Sequence, residues 1–121
     1  MAVAPVAVED RPVVERLWQL YQHDLSEFRG TLPTGSATYK TARLEQYLTD
    51  DPDVAADLVR AGEAPAGFVL VRGTAGDLRV LGEFFVVRGV RRTGVGRAVA
   101  REVPDKPHLP PDVWISLETP A

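Results

Sequence analysis

Glu83-Phe84-Phe85-Val86-Val87-Arg88-Gly89-Val90-Arg91-Arg92-Thr93-Gly94-Val95-Gly96-Arg97-Ala98 reads as a buried strand running into a basic, glycine-containing turn that opens a helix. The physics of that arrangement is anion binding. N–H groups at a helix start lack intrahelical partners, and the helix dipole adds partial positive charge there. Glycines at 94 and 96 remove side chains that would keep a phosphate from the backbone. Arg88, Arg91, Arg92 and Arg97 gather positive charge around the same turn, yet the chain carries 14 Lys+Arg against 17 Asp+Glu. A local basic cluster on an acidic protein marks a site better than a basic composition would. The plainer alternative is a strand-to-helix turn with solvated arginines.

Two familiar phosphate loops fit poorly. A Walker loop needs Lys after its second glycine, and no Lys follows Gly94 or Gly96. A dinucleotide fingerprint needs a third Gly or Ala where Val99 stands, near a first strand of a parallel sheet.

Upstream, Pro65–Arg72 and Leu78–Val87 read as strands joined by the turn Gly73–Asp77. Residues 55–60 add a strand through the turn Ala61-Gly62-Glu63-Ala64, making a three-stranded meander. Gly82 inside the last strand predicts a bulge or a close backbone approach. Further back, Val14, Leu17, Trp18, Tyr21, Leu25 and Phe28 recur at steps of three and four, an amphipathic helix with its core face on that stripe. Asp10 with Pro12 starts it and Gly30 ends it. Residues 30–40 form a loop, and a short helix over 41–49 places Leu44, Tyr47 and Leu48 on one side. Residues 2–8 are apolar, but Pro5 restricts them to an edge or first strand.

Downstream, Val95, Ala98, Val99 and Val103 give the helix after Gly94 an apolar face. The character then changes. Residues 104–121 hold five of the ten prolines and none of the ten glycines, and only 113–117 has strand character.

Composition narrows the function classes. The 121 residues fit one domain, 45% hydrophobic and 26% charged, with no Cys. A disulfide framework, a Cys-ligated metal and a thiol nucleophile are excluded. A net charge of −3 argues against general nucleic-acid binding. No apolar run approaches about 20 residues, so no membrane span is expected. The N-terminus lacks the basic region of a signal peptide, which makes the expected location cytoplasmic. No His/Asp/Glu cluster has metal spacing, and His23 and His108 are expected to have no catalytic part. The acidic residues Glu45, Asp50, Asp51, Asp53 and Asp57 read as a solvated face.

Arg91-Arg92-Thr93-Gly94-Val95-Gly96 resembles the pyrophosphate loop of the GNAT superfamily of acetyl-CoA-dependent N-acetyltransferases, Arg/Gln-x-x-Gly-x-Gly/Ala. Val86 stands five residues ahead of Arg91, where that family places a valine. The order of elements agrees too, over about residues 3–103. The resemblance implies that backbone amides from Arg92 to Arg97, together with Arg91, hold the cofactor pyrophosphate. Main-chain groups of Phe85, Val86 and Val87 would pair with the pantetheine arm, and one would polarise the thioester carbonyl. An oriented N–H there is worth about 3–4 kcal/mol in other acyl-transfer enzymes. Glu83 would act as the base that deprotonates the acceptor amine through water, and its neighbours Phe84 and Phe85 would suit it to that task. Which face of the sheet it occupies is left open by the bulge.

The resemblance ends early. Family members continue with further strands and a helix that supply a Tyr as general acid, whereas the last Tyr here is Tyr47. The expected fold is therefore α/β, a mixed and mostly antiparallel GNAT-like sheet flanked by helices, without the usual C-terminal helix and last strands. Residues 1–103 form the acetyltransferase-like domain and 104–121 an atypical Pro-rich tail, native or arising from truncation or frameshift. The expected activity is acetyl transfer from acetyl-CoA, as co-substrate without metal, to a primary amine of a small molecule or protein. The alternatives are an acyl-CoA-binding module with impaired catalysis and a truncated remnant. An open edge at 113–117 would allow homodimer formation.

Overall fold

The computed structural model describes residues 2–76 and 79–90. The turn residues Arg91, Arg92, Thr93, Gly94, Val95, Gly96 and Arg97, the helix after them, and the tail with its edge at 113–117 lie outside the described residues. Within them the chain runs through β1 (Ala2–Pro5), a 3-10 turn (Val8–Asp10), α1 (Arg11–Arg29) and α2 (Ala42–Glu45). It continues with β2 (Val54–Ala61), β3 (Ala64–Arg72), β4 (Val80–Val86) and a second 3-10 turn (Arg88–Val90). The strands form one sheet in the order β1-β2-β3-β4, each described pair antiparallel. The expected α/β meander is present, with β1 at an edge and Pro5 closing it.

Side-chain alternation sorts the strands onto two faces. Leu58, Phe68, Leu70 and Phe85 pack with Val14, Leu17 and Trp18 of α1 and with Leu44 and Tyr47. Val59, Val69, Val71 and Val86 form a second cluster. β3 is buried from Ala66 to Val71.

Of the two readings of Gly82 the bulge holds, and what approaches its backbone closely is a side chain. Leu70 pairs with Glu83 and Val71 with Leu81, so Gly82 is the extra residue of a bulge. A Cβ there would overlap the Tyr47 hydroxyl.

α1 starts and ends where expected, but not with the expected cap. Asp10 gives it no side-chain cap, because the preceding 3-10 turn leaves Asp10 in a helical conformation (φ −87°, ψ −9°), not an extended one. Its carboxylate instead accepts from Arg60 at 3.1 Å and from the Ala7 amide at 3.3 Å. At the other end Gly30 closes the helix at φ 68°, its N–H donating to Ser26 O at 2.9 Å. The apolar stripe outruns the core, however: Phe28 is 82% exposed. α2 is also shorter than predicted, since Tyr47 and Leu48 continue it through tighter i→i+3 bonds to Leu44 and Glu45.

Asp57 departs from the solvated acidic face. It sits on β2 opposite Pro5 and Val69, and burial raises its pKa above the ordinary 3.8. The folded chain thus holds this proton more tightly than the unfolded one. Its cost to stability grows as pH rises from 3.8 through the folded value and is complete above that. Asp57→Asn is expected to raise the melting temperature at neutral pH, with the gain vanishing below 3.8 in a pH series of thermal melts.

Candidate functional site

Glu83 lies just after the bulge, and the structure settles its face. It points toward α1, 5% exposed, the one buried charged side chain among the described residues. Ordinary alternation from Phe85 puts it there, and the bulge at Gly82 absorbs the irregularity on the other side.

Among the described residues two side chains engage the carboxylate. Tyr21 of α1 donates its hydroxyl to Oε2, and Arg43 of α2 donates from its guanidinium to Oε1. They reach it from opposite conditions. Tyr21 stands in an aromatic cluster, 5.4 Å from Trp18, 5.4 Å edge-on to Phe68 and 5.6 Å from Phe85. Burial pushes its phenol well above the usual range; the hydrogen bond and negative charge of Glu83 add to this, and Arg29 and Arg43 offset part of it. The phenol is therefore a fixed neutral donor. Arg43 is 57% exposed and covers Glu83 from the solvent side.

The loop before α2 is anchored so that Arg43 arrives there. Gln19 holds both backbone groups of Tyr39, accepting from its N–H at 2.6 Å and donating to its O at 2.8 Å. Trp18 Nε1 donates to Lys40 O at 2.9 Å. An open cleft beside this loop is lined by Pro12, Glu15, Arg16, Gln19 and Lys40, but does not reach Glu83.

The far end of β4 carries the other described candidates. Phe85 packs on the α1 face and Val86 on the opposite one. Val87 N–H donates to Ala66 O at 2.8 Å, so this amide is engaged within the sheet. Antiparallel alternation then turns the main-chain N–H and C=O of Val86 to the side of β4 away from β3. Gly67 lets the strands approach here: a Cβ on it would overlap Phe85 O. Arg88, counted above with the basic turn, is paired with Asp24 of α1 at 2.9 Å. Among the described residues no group of three or more His, Cys, Asp or Glu could hold a metal ion. No described helix is long and apolar enough to cross a membrane.

Sequence reading located Glu83 but neither partner. Tyr21 was legible only as part of an apolar stripe. For Arg43, 40 residues from Glu83, no local signal exists.

No protein-family model matches the chain, and no curated protein matches it. Among solved structures, a single-site mutant of the BH1408 protein from Bacillus halodurans superposes with a TM-score of 0.64 at 15% identity. That match covers 97% of this chain and 91% of the other. A tetramutant of the same protein gives 0.62 at 14% identity, covering 82% and 70%. A protein from Bacteroides thetaiotaomicron named as a GNAT-family acetyltransferase gives 0.54 at 13% identity, covering 84% of this chain and 52% of that one. At such identities the likeness is one of fold, shared with a neighbour that is named for the GNAT family.

Proposed function

We propose that the chain is an acetyl-CoA-dependent N-acetyltransferase acting on a primary amine. The observation that carries this reading is a buried carboxylate, Glu83, on β4 three residues before Val86. The Arg91–Gly96 motif and the fold shared with the GNAT-named neighbour support it. In this reading main-chain groups of Val86 pair with an extended pantetheine arm as an added strand would, and its N–H polarises the thioester carbonyl. Glu83 takes the proton that the acceptor ammonium must lose, directly or through water. The amine nitrogen then bonds to the carbonyl carbon as the C–S bond breaks. The nitrogen loses its second proton to solvent as the amide forms and the thiolate takes one up, so the products are amide, free thiol and one net proton.

One observation favours a second reading, an acyl-CoA-binding module without turnover: both oxygens of Glu83 are engaged. Thiol release separates the two. With acetyl-CoA and a panel of aliphatic amines, the first reading predicts saturable, amine-dependent release of free thiol. Acetyl-CoA binding without any release would leave the second.

A further inference from the structure

We propose that the acceptor binds as an aliphatic primary ammonium that takes the place of the Arg43 guanidinium on Glu83, an inference that rests on the acetyl-transfer reading above. The two partners of Glu83 differ in how readily they can leave. Tyr21 is locked among Trp18, Phe68 and Phe85, and its neutral hydroxyl holds Oε2 in place. Arg43 projects from a four-residue helix, is more than half exposed, and reaches Oε1 from solvent. Swinging it outward returns a guanidinium to water and moves no core side chain.

What replaces it is restricted by Glu83 itself. A carboxylate this buried is strongly destabilising when its counter-charge is removed. The displacing group must therefore bring both a positive charge and N–H donors. A primary ammonium does so, and it delivers the proton to be removed directly onto the base. Neutral arylamines and hydroxyls do not. Arg43 thus acts as a resident competitor that selects for cationic acceptors and keeps Glu83 neutralised between turnovers.

The experiment needs no acetyl-CoA, so its failure is distinct from failure of the transferase reading. n-Butylammonium chloride is titrated calorimetrically into the full chain, with n-butanol as the uncharged control. If Arg43 holds the site about nine-tenths of the time, Arg43→Gln binds the ammonium about tenfold more tightly than the parent. Arg43→Lys, which keeps a cation in place, stays near the parent value. Arg43→Gln combined with Glu83→Gln loses the binding, and n-butanol binds none of them. Equal or weaker binding by Arg43→Gln overturns the proposal, as does equal binding of n-butanol. Arg43→Ala repeats the comparison should Arg43→Gln fail to fold. Loss of the fold in both variants would make Arg43 a structural partner and overturn the proposal too.

Discussion

Gly67→Ala is expected to destabilise the chain by about 3 kcal/mol or more, the upper end of overpacking costs. The added Cβ would overlap Phe85 O and lie 3.0 Å from both Phe85 C and Val86 Cα. All three are backbone atoms of the paired strand, so no rotamer change relieves the clash. β4 must move away from β3, which disturbs the buried pairing of Phe68 with Phe85 and the Val87–Ala66 hydrogen bond. Against a total stability of roughly 5–15 kcal/mol that loss is large. Urea denaturation measures it. Gly89→Ala is the control, since no atom of the described residues lies within 4 Å of a Cβ there, and its effect should stay within about 0.5 kcal/mol. A Gly67→Ala chain as stable as Gly89→Ala would mean that the strands are not this close.

The second large effect is on rate. Glu83→Gln should lower amine acetylation by about 10²–10⁴, the range of a lost general base. The amide keeps an oxygen for the Tyr21 hydroxyl, and the exposed Arg43 returns to solvent. The variant is therefore expected to stay folded and to bind acetyl-CoA as the parent does. Steady-state thiol release on a chain with a cooperative melt checks this. Turnover within a few-fold of the parent would remove Glu83 from proton transfer.

The strand meander, the edge strand ending at Pro5, the Gly30 helix end and the Gly82 bulge were legible because each depends on local chemistry. Alternation, a missing N–H and a missing Cβ are properties of residues close in sequence. Phe28 shows where that stops: spacing says which residues share a helix face, but not how far the sheet extends beneath it. Asp10 shows the same for caps, because a 3-10 turn ahead of α1 altered the backbone that a capping side chain needs. The site was half legible. Glu83 could be singled out from its place before the basic turn, while its partners come from 62 residues away in Tyr21 and 40 in Arg43. Only the packing of α1 and the anchored loop on β4 brings those groups together.

Calorimetric titration of acetyl-CoA into the purified chain, alongside Gly94→Asp, tests the central claim most directly. The aspartate puts bulk and negative charge where the pyrophosphate is expected to meet the backbone. The account predicts saturable binding to the parent and its loss in a variant with an unchanged melt. A folded parent that binds no acetyl-CoA would contradict it.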